Sequence, residues 1–301
     1  MNKETLKEII IKNKPKLSSN SLNTYTSILY NIHKKYSNSD NDDIKWFNEE
    51  NDIINHLKDI NPNIRKTIYS ALISLVDDKH KKKYKDEMMK DAESYNIENS
   101  KQEKTKTQQD NWISQEDIKK KFDEMLKDIK GLWKKDKINN ADFKKIQDVI
   151  IIALTSGVMG LPPRRAIDWC DFVIHGDIDE KKDNYLNLKT KELIFNTYKG
   201  SNQKGTQKIL CPNELLKLLK KWISINTNKY LLVDSSKNKM NSVKLNQHLE
   251  RIWGKKSGVN IMRHSFISAK YPIFNVDELK KDAEKMGSSA NMMLETYIKK
   301  N

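Results

Sequence analysis

Asn260-Ile261-Met262-Arg263-His264-Ser265, then Met286-Gly287-Ser288-Ser289, then Tyr297 form an ordered set late in a 301-residue chain. An arginine offers a permanent cation with a forked set of donors, and a tyrosine oxygen is a nucleophile once it sheds its proton. With a glycine turn between them, this order suits chemistry on a phosphodiester. Upstream, Gly160-Leu161-Pro162-Pro163-Arg164-Arg165-Ala166-Ile167-Asp168-Trp169 leaves an apolar helix through a double proline and sets two arginines at the start of the next helix. Helix amino termini attract phosphate, and an arginine there adds a bidentate contact. Taken alone, the same residues also read as an Arg165–Asp168 helical ion pair on a solvated face.

Composition agrees with such a substrate without proving it. There are 56 Lys+Arg against 41 Asp+Glu, a net charge of +15, so the protein should be drawn to a polyanion by an attraction that weakens with salt. Nucleic acid is the foremost candidate, although a lysine- and asparagine-heavy composition from an AT-rich genome gives the same charge without DNA. Cys170 and Cys211 have no metal-ligand spacing to a second Cys or His, so neither a zinc site nor a disulfide framework is expected, and reduced thiols fit an intracellular protein. The start of the chain lacks an apolar signal core, and the longest strongly apolar run, Val149 to Leu154, is far too short for a bilayer. A soluble protein with no membrane partner is expected. The sequence has no Walker-type glycine loop and no carboxylate cluster for two-metal hydrolysis.

These residues need elements to position them, and the apolar spacing predicts a mainly helical protein. Leu22, Tyr25, Ile28, Leu29, Ile32 and Tyr36 recur at helical intervals behind Ser18 or Ser19 as cap. A helix begins after Asn61-Pro62, and Trp46 to Leu57 supplies another. Residues 1–80 therefore read as a small helical bundle, 81–111 as a polar linker, and 112–301 as a second domain. In the second domain, helices are expected near 115–130 and 141–157. Short runs at Tyr185–Leu188, Glu192–Phe195 and Gln207–Leu210, punctuated by Gly200 and Gly205, predict a small antiparallel sheet. Helices over 242–254, 261–269 and 289–299 complete it. Trp133, Trp169, Trp222 and Trp253 read as core, and Lys79 to Lys85 as either a solvated face or a phosphate contact.

The order Arg165-Ala-Ile-Asp168, Tyr198-Lys199-Gly200, Arg263-His264-Ser265-Phe266, Met286-Gly287 and Tyr297 resembles the tyrosine recombinase family over roughly residues 112–301. The helical amino-terminal part looks like that family's core-binding domain. The resemblance implies that Arg165 and Arg263 are the two catalytic arginines, that Asp168 supports the first, and that Arg164 contacts the DNA backbone. It maps the family's β-turn lysine onto Lys199, with Lys204 close by as an alternative or a DNA contact. Tyr297 is the implied nucleophile. The chain departs from the pattern at Asn260, where the family usually has histidine, and at Ser288, where it has histidine or tryptophan.

Attack of a tyrosine oxygen on a DNA phosphate gives a five-coordinate state with extra negative charge, which two guanidiniums can hold without deprotonating. A lysine in the hairpin turn can protonate the departing 5′-oxygen. A phenol, with an ordinary pKa of about 10, attacks only with help in losing its proton. Neither Asn260 nor Ser288 can accept that proton near neutrality, so slow cleavage or dependence on an assembled complex is expected. His264 reads as a structural residue rather than a base. The phosphotyrosyl bond keeps the energy of the broken phosphodiester, so no cofactor or metal is required.

The expectation is a site-specific recombinase or integrase of a mobile or viral element, acting on double-stranded DNA as a dimer or tetramer. Only four residues follow Tyr297, too few for a separate exchanging helix, so assembly should use other surfaces or exchange the helix that bears Tyr297. Two rivals share these residues. A type IB topoisomerase rejoins the same strand, and a DNA-binding protein that has lost catalysis fits the departures at Asn260 and Ser288.

Overall fold

Polar side chains start the first helices. Asn2 accepts from the Glu4 amide at the head of α1 (Lys3–Asn13), and Ser18 accepts from the Ser21 amide at the head of α2 (Ser19–Tyr36). A 3-10 turn over Ile44–Asn48 leads into α3 (Glu50–Leu57). Asn61 then caps α4 (Pro62–Leu75), with Pro62 where its missing N–H costs nothing. The computed structural model describes residues 2–37, 44–100, 103–271 and 276–297. The chain divides into two compact units, Met1–Lys101 and Gln102–Asn301.

The first unit is a helical bundle around Leu6, Ile10, Leu29, Phe47, Leu57 and Leu72, all fully buried. Most of the polar stretch read as a linker is helix: α5 runs over Asp78–Ser100 and α6, in the second unit, over Lys106–Asn111. No glycine or proline interrupts α5, and Tyr84, Met88, Asp91 and Tyr95 recur along one narrow face. That face is enough to dock it. Tyr84 is buried and donates to the Phe47 carbonyl, Asp91 accepts from Arg65 Nε at 2.8 Å, and Lys66 lies over the Tyr95 ring. Lys79, Lys82, Lys83 and Lys85 of the lysine run are exposed.

The second unit is built on α8 (Asn140–Thr155), which follows α7 (Gln115–Asp128). Every residue from Ile146 to Thr155 is buried, as suits a helix that is apolar all round. Past the double proline come α9 (Ala166–Cys170) and a four-stranded sheet of β1 (Phe172–Val173), β2 (Asn184–Asn187), β3 (Glu192–Phe195) and β4 (Gln207–Leu210), with α10 (Ser201–Lys204) between the last two. The strands lie in sequence order. The three predicted strands pair antiparallel, with Tyr185 opposite Ile194 and Leu193 opposite Ile209. The sheet as a whole is mixed, because the two-residue β1 joins β2 in parallel. Trp169 and Trp222 are fully buried in the core.

α11 (Asn213–Ile225), α12 (Ser242–Trp253), α13 (Val259–Lys270) and α14 (Val276–Lys285) follow. The helix expected over 289–299 is a short turn, α15 (Ala290–Met292), continued by a π-helical turn over Met293–Tyr297. Residues 298–301 lie outside the described residues, and with them the expectation about the tail. Cys170 and Cys211 are free and buried, and burial pushes both thiols up to about 12, which leaves them inert near neutrality. Among the described residues, no helix is long and apolar enough to cross a membrane.

Candidate active site

The end of α14 organises the site. Gly287 sits at φ 64° beyond the helix, its amide bonding to the Glu284 carbonyl and that of Ser288 to the Ala283 carbonyl, the two bonds of a Schellman cap. A side chain at Gly287 would be strained by that backbone, and its Cβ would lie 3.3 Å from Arg164 Nη2. Three cations converge on the carbonyls exposed here. Arg164 Nη1 donates to Lys285 O at 2.6 Å, Arg165 Nη1 to Gly287 O at 2.5 Å, and Lys204 Nζ to Ser288 O at 2.8 Å. A helix carboxyl end carries partial negative charge, so cations are favoured at it.

The two adjacent arginines behave differently. Arg164 is fully buried, with Nε on Asp168 Oδ2 at 2.9 Å, Nη1 on Gln207 Oε1 at 2.8 Å and its guanidinium carbon 3.9 Å from the centre of the Phe195 ring. Asp168, also fully buried, thus pairs with Arg164 rather than with Arg165. Burial pushes the Asp168 carboxyl up, and the guanidiniums of Arg164, Arg165 and Arg263 oppose that shift. Arg165 occupies the N-cap position of α9 in extended conformation and stays partly exposed. Successive side chains of an extended backbone face opposite ways, so one arginine enters the interior and its neighbour lies along the cap of α14.

α13 brings Arg263 and His264 to Tyr297. Arg263 is 1% exposed, and its Nε, Nη1 and Nη2 have no hydrogen-bond partner among the described residues. Its guanidinium carbon lies 4.7 Å from the centre of the Tyr297 ring. Burial, reinforced by the charges of Arg165 and Arg164, lowers Arg263 to about 10, against the opposing pull of Tyr297 and Asp168. It remains a cation at neutral pH. Arg164 Nη2, Asp168 Oδ1 and Ser288 Oγ are likewise buried without a partner among the described residues. Three guanidiniums therefore gather around one carboxylate, with unused donors in the interior, an arrangement that calls for an anion.

Tyr297 is nearly buried, and its carbonyl accepts from His264 Nδ1 at 3.1 Å and from Ser268 Oγ at 3.2 Å. The His264 ring meets the Tyr297 ring edge-on, with centroids 4.9 Å apart. The sequence predicts a structural His264 rather than a base, and the Tyr297 ring touches both it and the adjacent Arg263 of α13. A carbonyl can only accept, so Nδ1 carries a proton. Nε2 faces Gln108 Nε2 at 3.3 Å, which makes it the acceptor in the neutral ring. With both nitrogens engaged, His264 holds the tyrosine in place.

Asn260 is exposed in the first turn of α13, and Lys199 is exposed in the hairpin turn. Of the two hairpin lysines, Lys204 is the one bonded within the cluster. Tyr198 OH donates to Gly205 O at 2.8 Å and closes that turn. The sequence reading missed Gln207, Lys285 and Gln108. Only Gln108 had a local signal, as the fourth residue of Thr105-Lys106-Thr107-Gln108, a capping-box pattern. Beside the site lies a cleft of about 720 Å³ whose lining includes Lys204, Lys208, Lys280, Lys281, Lys285 and Ser288.

No family model matches the sequence, and no curated protein matches it. Among solved structures, the chain is similar to the crystal structure of a lambda integrase dimer bound to a COC′ core site, with 11% sequence identity and a TM-score of 0.49, over 98% of this chain and 75% of that one. A likeness at this level leaves assignment to the chemistry of the site itself.

Proposed function

We propose that the protein is a site-specific DNA recombinase or integrase that cuts and rejoins DNA through a 3′-phosphotyrosyl intermediate. One observation carries the reading: Arg263 is buried against the Tyr297 ring with all three guanidinium nitrogens unpartnered among the described residues. A buried cation without a partner costs several kcal/mol, and a phosphate oxygen offsets that cost where a tyrosine can attack the phosphorus.

In the step proposed, Tyr297 Oη forms a bond to phosphorus as the bond to the 5′-oxygen breaks. The phenol proton leaves to solvent, and the 5′-oxygen takes up a proton. Arg263 and the partly exposed Arg165 bind the non-bridging oxygens, while Arg164, tied to Asp168, fixes the loop that carries Arg165. Lys204 is better placed than Lys199 to supply the proton, since its ammonium is already on Ser288 O. The lysine-lined cleft and the net charge of +15 suit a flanking run of phosphates. Rejoining to a different strand needs a second cut, so the working form is an oligomer on double-stranded DNA, as expected of an integrase of a mobile or viral element.

A second reading, DNA binding without cleavage, is favoured by one feature: His264 spends both nitrogens in the fold and Asn260 is exposed, so neither serves as base for Tyr297. Covalent trapping separates the two. Wild type and Tyr297→Phe are incubated with nicked duplexes drawn from the protein's source DNA and run on a denaturing gel. A covalent adduct formed only by wild type supports cleavage; binding by both proteins with no adduct supports the second reading.

A further inference from the structure

Gln108 lies just past the junction between the two units, in a segment whose sequence reads as linker, yet its side chain does two jobs. Its Oε1 accepts the Thr105 amide at 3.0 Å, closing the capping box of α6. Its Nε2 reaches His264 Nε2 at 3.3 Å, and His264 in turn donates from Nδ1 to the Tyr297 carbonyl and packs its edge on the Tyr297 ring. The surrounding segment is fastened to the same part of the unit. Ser257 Oγ donates to Asn111 O at 2.5 Å, the Lys256 amide to Asn111 Oδ1 at 2.8 Å, and Gln115 Nε2 to Ser265 Oγ at 3.1 Å.

We infer that Gln108 is a positioning residue for Tyr297, acting through His264. The donor at Gln108 fixes which imidazole nitrogen carries the proton, because an amide N–H facing Nε2 leaves Nδ1 as the donor toward Tyr297 O. The second-unit residues nearest the junction thereby set the location of the tyrosine main chain. A π-helical turn is an uncommon backbone state, and the Met293–Tyr297 turn is held at its last residue by two side-chain donors, of which His264 is one. Loss of the Gln108 contact removes one restraint on the imidazole and so loosens its hold on the tyrosine. Displacements of about 1 Å cost up to about a hundredfold in rate where a reacting group must be aligned. The kinetic part of this inference rests on the cleavage reading above; the geometric part does not.

Two substitutions separate positioning from general support of the helix. Gln108→Met keeps the length of the side chain and removes its donor to His264. Thr105→Ala removes the hydroxyl half of the capping box and spares that donor. Tyrosines are labelled with carbon-13 in full-length protein, the Tyr297 ring signal is assigned with Tyr297→Phe, and adduct formation is timed on a nicked duplex alongside DNA affinity. The expected result is a shifted Tyr297 signal and roughly tenfold slower adduct formation in Gln108→Met, with DNA affinity unchanged, and neither change in Thr105→Ala. If the two variants move the ring signal alike, or neither moves it, Gln108 has no positioning role. If wild type forms no adduct, the cleavage reading fails, and the ring signals alone decide whether Gln108 positions Tyr297.

Discussion

Two guanidiniums lie in the interior of the second unit, and the fold treats them in opposite ways. Arg164 is surrounded: a carboxylate, an amide oxygen and a helix-terminal carbonyl take the hydrogens of Nε and Nη1, and the Phe195 face covers its plane. Arg263 is just as buried and has an aromatic ring beside it, but none of its nitrogens meets an acceptor among the described residues. Burial alone therefore does not distinguish a structural arginine from a functional one. What distinguishes them is how much of the hydrogen bonding the chain supplies: two of three guanidinium nitrogens at Arg164 and none at Arg263, among the described residues. In the Arg164 pocket Nε and Nη1 are satisfied, only Nη2 and Asp168 Oδ1 lack a partner among the described residues, and the paired nitrogens hold the loop after α8 to the end of α14. The Arg263 pocket is unfinished, and in the function proposed above an anion completes it.

The contrast can be broken from either side. Arg164→Ala should lower unfolding free energy by about 3–5 kcal/mol, because it strands Asp168 as an unpaired buried charge; denaturant titration reads this directly. Arg263→Ala should slow adduct formation by about 10²–10³ while leaving stability equal or higher, since it removes a cation the interior does not satisfy. Equal loss of stability in both variants would erase the distinction. The smallest effect sharpens it. Inorganic phosphate at about a hundred times its dissociation constant should stabilise wild type by about 2.7 kcal/mol, seen as a rise in melting temperature that Arg263→Met abolishes and that an equal ionic strength of chloride does not reproduce.

Much of this was legible in the chain, and the parts that were not have identifiable causes. The strands at Glu192–Phe195 and Gln207–Leu210 were readable because the turn between them carries Gly200 and Gly205, and α8 because its apolar run tolerates no other placement. α5 was not, since four residues on one face of an otherwise charged helix give almost no periodic signal; docking on α4 and the Phe47 turn stabilises it. β1 is two residues long and is set by the segments on either side of it, β2 and the Tyr230 bridge. At the site, the types and order of Arg165, Arg263 and Tyr297 could be read, but not which of two adjacent arginines is buried or that Asp168 turns to Arg164. Those outcomes depend on the carbonyls of α14, more than a hundred residues away in sequence. The contact of Gln108 with His264 is equally nonlocal, and only its capping box was visible.

The most direct test of the unfinished pocket is a structure of the protein with a nicked duplex and orthovanadate, whose five-coordinate geometry resembles the transition state of phosphoryl transfer and should bind more tightly than phosphate. The account predicts vanadium bonded to Tyr297 Oη, with Arg263 nitrogens within hydrogen-bonding distance of its equatorial oxygens and Arg164 still on Asp168. Vanadate bound elsewhere, or an Arg263 that remains without an anion while duplex DNA occupies the lysine-lined cleft, would contradict it.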